Sequence, residues 1–257
     1  QTVSAVESKT DKNPNILVIL IDDAGYNDFG FMGSKEMQTP NIDALTSEGV
    51  VFTDAHVAAT VSSPSRACLI TGRYGHRFGY ECNLSDRTNG LPLEEETIAE
   101  VFKTNGYRTA AIGKWHLGSR DEQHPNNRGF DLFYGMKAGG RDYFYNEKKS
   151  DRPGDERNLL LNDRQVKFEK YLTDAFSEKA VEFINESSQP FMMYLAYNAV
   201  HTPMQATDED MAKFEGHPRQ KLAAMTYALD RGVGTVIRGL KDSGKFDNTL
   251  IFFLSDN

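Results

Sequence analysis

The stretch ILVILIDD, residues 16–23, decides the fold. Its six apolar residues are mostly β-branched and run without interruption, which is typical of a strand buried on both faces of a parallel sheet. Two carboxylates, Asp22 and Asp23, follow directly where this strand ends. In open α/β sheets, ligands bind beyond the carboxyl ends of the strands. We therefore expect a functional site at this end of the predicted strand.

Strands and helices alternate along the rest of the chain. Further strands are predicted at residues 50–52, 108–112, 191–197 and 250–254, and helices at residues 40–47, 63–69, 97–104, 172–184 and 219–240. Residues 119–165 lack clear periodicity and predict a long surface excursion. The alternation favours an α/β fold with a mostly parallel central sheet and helices on both faces. Residues 1–14 predict a polar N-terminal arm, and residues 15–257 a single domain.

The composition is that of an ordinary globular protein. Of 257 residues, 39% are hydrophobic and 26% are charged, and the net charge is −8. A nucleic-acid binder usually has a basic surplus, which is absent from this sequence. The longest apolar run is far shorter than the ~20 residues that span a bilayer. The sequence therefore predicts no nucleic-acid partner and no membrane span.

Polar residues follow four of the five predicted strands. After the first strand and its two carboxylates, the residues at the next three strand ends are Lys114 and His116, then His201, then Asp256 and Asn257. Three carboxylates and one amide are oxygen ligands, which suit a hard cation, Ca²⁺ or Mg²⁺, rather than Zn²⁺. The basic side chains, with Arg66, imply a multiply charged anion such as sulfate or phosphate opposite that cation.

The segment SSPSRACLITGR, residues 62–73, resembles the signature of the type I, formylglycine-dependent sulfatase family. That signature reads Cys/Ser-x-Pro-Ser-Arg-x-x-x-Leu-Thr-Gly-Arg, and this chain departs from it only at Ile70. Other blocks resemble the family in the same order: DD at 22–23, GKWHLG at 113–118, RGFD at 128–131, HTP at 201–203 and SDN at 255–257. The resemblance is to a Ser-type member, similar to bacterial carbohydrate sulfatases of the alkaline phosphatase superfamily.

This resemblance implies a site built around residue 62. In the family, a maturase converts the first signature residue to formylglycine, whose hydrate is the nucleophile, so Ser62 is the expected position of modification. Ser62 is either native or an engineered replacement of Cys. The implied cation is Ca²⁺ in preference to Mg²⁺. Its implied ligands are Asp22, Asp23, Asp256, Asn257 and the oxygen of residue 62.

The resemblance and the residue types together imply the catalytic roles. Arg66 orients residue 62, and Lys114 holds a sulfate oxygen as a point charge. His116 is the expected base for the release of sulfate, and His201 the expected acid for the leaving alcohol, because imidazole titrates near working pH. The candidate residues for substrate contact are His76 and Arg77.

The implied substrate is a sulfated carbohydrate. Specificity is expected in the loops at residues 73–83 and 139–157, where Arg141, Tyr143 and Tyr145 suit a sulfated sugar. Two alternatives stay open: a phosphatase or phosphonate monoester hydrolase of the same superfamily, and an inactive protein that binds sulfated glycans.

The two ends of the chain suggest processing. A start at Gln1, without Met, suits a removed signal peptide and a periplasmic, cell-envelope or secreted enzyme. The chain stops at Asn257, inside the predicted metal-binding block and directly after a predicted central strand. We therefore expect the remaining C-terminal part of the enzyme, with the smaller subdomain of the family, as a second fragment or chain.

Overall fold

The structure, a computed structural model, describes residues 13–83 and 90–257, so the predicted N-terminal arm lies almost entirely outside the described residues. The strands are β1 (Asn15–Ile21), β2 (Arg108–Lys114), β3 (Leu132–Met136), β4 (Leu160–Leu161), β5 (Arg164–Gln165), β6 (Phe191–Ala196) and β7 (Thr249–Ser255). The helices are α1 (Pro40–Ser47), α2 (Ser62–Thr71), α3 (Ile98–Thr104), α4 (Leu172–Glu186), α5 (Asp208–Ala212) and α6 (Gln220–Asp242). None of the helices in the described ranges has both the length and the apolar character needed to cross a membrane.

All seven strands belong to one sheet, in the order β5-β4-β3-β2-β6-β1-β7. The five longer strands run parallel, whereas β4 and β5 form a short antiparallel hairpin at one edge. β1 lies between β6 and β7, with Val18 opposite Tyr194 on one side and Phe252 on the other. The predicted α/β fold with a mostly parallel central sheet is confirmed.

β1 is buried on both faces because its side chains alternate between two cores. Residues 17, 19 and 21 belong to a core shared with α4 and α6, and residues 16, 18 and 20 to a core shared with α2 and α3. Successive side chains of a strand point to opposite faces, so an uninterrupted apolar run is required when helices cover both sides.

The prediction of a strand at residues 50–52 is wrong. The side chains of Val50 and Phe52 are exposed, at 79% and 76%, and the backbone there is irregular. The run has only three residues between Gly49 and Thr53. Strand propensity reflects packing on a sheet, and the described part of the sheet leaves this segment without a strand to pair with.

The excursion predicted for residues 119–165 contains β3, β4 and β5, which the sequence pattern does not reveal. β3 has five residues and includes Gly135, which weakens its strand signal. That glycine is required by packing, because a Cβ there would lie 1.9 Å from the carbonyl oxygen of Gly113 on β2. Helix α5 also escapes prediction, since five residues are too few to establish helical periodicity.

Candidate active site

Polar side chains meet at the carboxyl edge of four adjacent parallel strands, β2, β6, β1 and β7. Two residues just past the strands continue the backbone pattern of the sheet. The amide of Asp22 donates to the carbonyl of Ala199, and the amide of Asp256 to that of Ile21, both at 2.9 Å. These bonds fix the backbone of Asp22 and Asp256 independently of the contacts that their side chains make.

Ser62 is the first residue of α2, and its side chain is buried against two carboxylates. Its Oγ lies 2.5 Å from Oδ2 of Asp256 and 3.1 Å from Oδ1 of Asp22. A hydroxyl has a single proton and a carboxylate only accepts, so the proton lies on the shorter contact, to Asp256. The unpaired amides at the start of a helix make position 62 favourable for an anion.

Arg66, one helical turn further on, connects this hydroxyl to the carboxylates. Its Nε donates to Ser62 Oγ at 3.0 Å, and its Nη2 to Asp256 at 2.7 Å and to Asp22 at 3.1 Å. Nη1 donates to the carbonyl of Lys114 at 3.1 Å. The guanidinium is fully buried, and these contacts supply the pairing that a buried cation requires.

Lys114, the last residue of β2, supplies a second buried cation. Its Nζ donates to both carboxylate oxygens of Asp22, at 2.9 and 2.7 Å. Burial lowers the pKa of Lys114, because the ammonium group loses its hydration, and Asp22 offsets part of this effect. Burial raises the pKa of Asp256, but Arg66 and the hydrogen bond from Ser62 help to outweigh it and bring the pKa down to about 2.

The carboxylates of Asp22, Asp23 and Asp256 form a cluster in which one oxygen from each lies within 4.8 Å of the others. Asn257 adjoins it, with its Nδ2 donating to Asp23 at 2.9 Å. The two buried cations offset only part of the charge of three carboxylates, so one net negative charge remains. An all-oxygen set with residual negative charge fits a hard divalent cation such as Ca²⁺.

His116 lies in the loop after β2, partly buried beside the two cations. The hydroxyl of Ser63 donates to the backbone carbonyl of His116 at 2.7 Å. Gly139 lies directly against the ring, since a Cβ there would be 2.5 Å from Nε2. Burial, together with Lys114 and Arg66, lowers the pKa of His116 to about 3. The imidazole is therefore neutral at physiological pH.

His201 lies in the turn after β6, and 29% of its side chain is exposed. Its Nδ1 is 2.6 Å from the carbonyl oxygen of Thr202. Because a carbonyl only accepts, Nδ1 carries a hydrogen, and Nε2 is the nitrogen that gains or loses a proton. Nε2 lies 3.6 Å from Oδ2 of Asp23. The amide of Val200 donates to the carbonyl of Asp22 at 2.8 Å, which ties this turn to the end of β1.

The residues predicted for substrate contact differ in their exposure to solvent. His76 and Arg77 are exposed on a short 3₁₀ helix after α2, and no described hydrogen bond joins either to the carboxylate cluster, so their role stays a prediction. The prediction that Arg141 and Tyr143 contact a sugar is wrong, because both are buried. Arg141 is paired with Asp151 at 2.7 Å.

The sequence pattern does not reveal the residues that support the two imidazoles. Ser63 is the second residue of α2, and its hydroxyl holds the carbonyl of His116. Gly139 contacts the His116 ring, and a Cβ on Gly140 would lie 3.4 Å from Cε1 of His201. The adjacent glycines are the one local signal, since glycine allows close approach of the backbone.

Comparison with known proteins defines the class of this fold and site. A family model described as Sulfatase matches residues 14–257, so the chain belongs to the sulfatase family. It is 34% identical to the uncharacterized sulfatase YdeN of Escherichia coli K12, over 98% of this chain and 53% of that protein. It is 37% identical to arylsulfatase G of Mus musculus, over 95% of this chain and 51% of that protein.

One similar solved structure is the crystal structure of Ps i-CgsB in complex with k-i-k-neocarrahexaose. The TM-score is 0.90 at 45% sequence identity, and the match covers 96% of this chain and 59% of that chain. The chain thus spans about half the length of the curated relatives it matches.

The buried charges generate a prediction about Arg66. Replacing Arg66 with Met should lower the free energy of unfolding by about 3–5 kcal/mol, because buried Asp256 loses its paired cation and Asp22 loses one of two. Urea denaturation with a metal chelator present measures this loss without a contribution from bound cations.

Lys241→Met is the matched control for this prediction. Lys241 pairs with Glu48 at 3.7 Å, and both side chains are about half exposed, at 49% and 53%. An exposed pair contributes less than about 1 kcal/mol. Equal losses in the two variants would contradict the role given to Arg66.

Proposed function

We propose that the protein hydrolyses sulfate esters of a carbohydrate, with residue 62 at the point of attack. The observation that carries this proposal is the arrangement around Ser62. Its Oγ lies at the start of a helix, against the carboxylates of Asp22 and Asp256, and within 3.0 Å of Nε of Arg66. Membership of the sulfatase family over residues 14–257 supports the same activity.

We propose that Ser62 is converted to formylglycine by a maturase. An unmodified serine hydroxyl is a weak nucleophile near neutral pH, and the hydrated aldehyde supplies one hydroxyl for attack and a second whose proton loss releases sulfate. The family signature at residues 62–73 supports the modification. Arg66 contributes by fixing the position of the oxygen at residue 62.

We propose that Asp22, Asp23, Asp256, Asn257 and residue 62 hold a Ca²⁺ ion. The support is an all-oxygen donor set with one net negative charge. Ca²⁺ suits a flexible set of six to eight oxygens, whereas Mg²⁺ demands a near-octahedral site and keeps several waters. When bound, the cation supplies positive charge that favours the ionised form of the attacking hydroxyl.

Lys114 and His116 are proposed to act on the sulfate group. Lys114 offers an ammonium group on the same side of the site as Arg66, where it balances charge on a sulfate oxygen. The lowered pKa keeps His116 neutral, and a neutral imidazole can accept a proton. A sulfate anion beside it raises the pKa of His116 towards the working range, which suits a base during release of sulfate.

His201 is proposed to protonate the leaving oxygen of the sugar. A hydrogen on Nδ1 is held by the carbonyl of Thr202, so Nε2 is the nitrogen that donates. Because 29% of the side chain is exposed, an alcohol entering from solvent reaches this ring. His116 instead lies against Gly139 and beside the two buried cations, which supports assigning the leaving group to His201.

A sulfated glycan is the proposed substrate. The similar structure bound to k-i-k-neocarrahexaose supports a carbohydrate, and the exposed His76 and Arg77 are proposed contacts for its sulfate or hydroxyl groups. A periplasmic, envelope or secreted location suits such a substrate. Residues 15–257 are proposed as the catalytic portion, and the additional polypeptide that the relatives possess as the partner that completes the pocket.

The modification at position 62 is tested by tandem mass spectrometry of protein from its native host. We expect residue 62 to lack two hydrogens relative to serine, while Ser63 and Ser65 in the same peptide are unchanged. Protein made without a maturase should retain serine and hydrolyse no sulfate ester. Unmodified Ser62 in native protein that binds but does not hydrolyse sulfated glycans would instead identify an inactive binder.

The cation site is tested with Asp23→Ala. Asp23 contacts neither Arg66 nor Lys114 in the described hydrogen bonds, so its loss removes a ligand without unpairing a buried cation. Calcium affinity by isothermal titration calorimetry should fall at least about tenfold, since even indirect changes at metal sites cost that much. Asp242→Ala, which removes an exposed carboxylate at the end of α6, should leave calcium affinity unchanged. The same calcium affinity in the two variants would refute the site.

The acid role is tested with His201→Ala and two classes of substrate. Turnover of a sugar sulfate should fall about 10²–10⁴-fold, the usual contribution of a general acid. Turnover of 4-nitrophenyl sulfate should fall far less, because an aryl oxide leaves without a proton. His217→Ala, a histidine between α5 and α6, should change neither rate, and equal losses on both substrates in His201→Ala would remove His201 from this role.

A further inference from the structure

The position of His201 depends on the turn that carries it. The ring is partly exposed, and Nδ1 contacts only the carbonyl of the adjoining Thr202 among the described hydrogen bonds. The turn is closed by the amide of His201, which donates to the carbonyl of Asn198 at 3.0 Å. Whatever holds the backbone of this turn in place therefore sets the direction of the imidazole.

The hydroxyl of Tyr143 contacts two backbone carbonyls of this turn, those of Asn198 and His201. It lies 2.8 Å from the carbonyl oxygen of His201 and 2.5 Å from that of Asn198. Both partners only accept, so the single phenolic proton is shared between them. Burial raises the pKa of Tyr143 well above its usual value, and the hydroxyl accordingly stays a donor.

Tyr143 is itself held in place by packing and by backbone hydrogen bonds. Its side chain is fully buried and stacks on Tyr171, with ring centroids 5.3 Å apart and planes inclined by 15°. Its amide donates to Oε1 of Gln205 at 2.8 Å, and its carbonyl accepts from the amide of Leu172 at 3.0 Å. The backbone of Tyr143 is thus held through both its amide and its carbonyl, and its ring is held by Tyr171. Removing the hydroxyl therefore leaves the aromatic packing in place.

The same short segment also reaches the imidazole directly. Gly140, three residues before Tyr143, lies against the His201 ring, where a Cβ would be 3.4 Å from Cε1 and 3.5 Å from Nδ1. The segment therefore meets His201 at two points, the ring and the backbone carbonyl.

We propose that Tyr143 is a positioning residue for His201, aligning Nε2 with the leaving oxygen through its hydrogen bonds to the carbonyls of Asn198 and His201. The inference rests on the proposed acid role of His201. A hydroxyl that only stabilised the fold would affect every substrate alike. A hydroxyl that positions the acid affects only the reaction that needs the proton.

The test is Tyr143→Phe in the mature, metal-loaded enzyme, assayed on a sugar sulfate and on 4-nitrophenyl sulfate. Misplacing a catalytic group by about 1 Å costs roughly 10²-fold, so we expect kcat on the sugar sulfate to fall about 10–100-fold. On the aryl sulfate kcat should change less than about twofold, and KM should change little on either substrate, because an interaction with the transition state alone is lost.

Tyr171→Phe is the matched control. It removes the other buried hydroxyl of the same aromatic stack, which donates to the carbonyl of Gln205 at 2.8 Å. We expect it to leave both rates unchanged. Equal losses on both substrates in Tyr143→Phe, no loss on either, or the same selective loss in Tyr171→Phe would each overturn the inference.

A double-mutant cycle provides a second measurement. In the His201→Ala background, Tyr143→Phe should cause no further loss of turnover, since coupled residues are not additive. An additive loss would overturn the inference.

If Tyr143→Phe strongly lowers the melting temperature, Gly140→Val provides the test instead, because its side chain displaces the imidazole from the same segment. This variant must lose turnover on the sugar sulfate selectively, and an equal loss on both substrates would overturn the inference. A wild-type enzyme that hydrolyses neither substrate refutes the proposed function itself, before any variant is compared.

Discussion

The guanidinium of Arg66 contacts a hydroxyl, two carboxylates and a backbone carbonyl, all of them withdrawn from water. Those groups come from α2, from the ends of β1 and β7, and from the last residue of β2. A buried carboxylate without a cation is strongly disfavoured, so Arg66 stabilises the closure of four elements over this site. The position of Ser62 follows from that arrangement, since its Oγ shares the same Nε and carboxylate oxygens.

Two histidines at the same edge of the sheet meet different surroundings. His116 is partly buried next to Lys114 and Arg66, and its pKa falls to about 3. His201 is partly exposed, faces Asp23 and has one nitrogen committed to a backbone carbonyl. The same side chain thus lies beside two cations at one end of the site and beside a carboxylate at the other, a difference that suits the proposed base and acid roles.

The sequence predicts the central strands and the residues at their ends because both depend on local patterns. A strand buried on both faces must be apolar throughout, as residues 16–21 are, and parallel strands bring their ends to one edge. The strand prediction at residues 50–52 fails because strand propensity alone does not provide a neighbouring strand to pair with. Tyr143 misleads for a related reason: an aromatic residue in an irregular segment resembles a ligand contact, and only tertiary packing reveals that its hydroxyl faces the backbone beneath His201.

The pairing of β1 has a consequence for how the chain reaches its native state. Asn15, at the start of β1, hydrogen-bonds residues that lie 176 and 234 positions further along the chain. Closing loops of that length precedes any stabilisation from the contacts. During synthesis, β1 is therefore an apolar, β-branched segment without its neighbours until β6 and β7 have been made. Such a segment is prone to pair with other chains, and the formation of β6 and β7 removes that exposure.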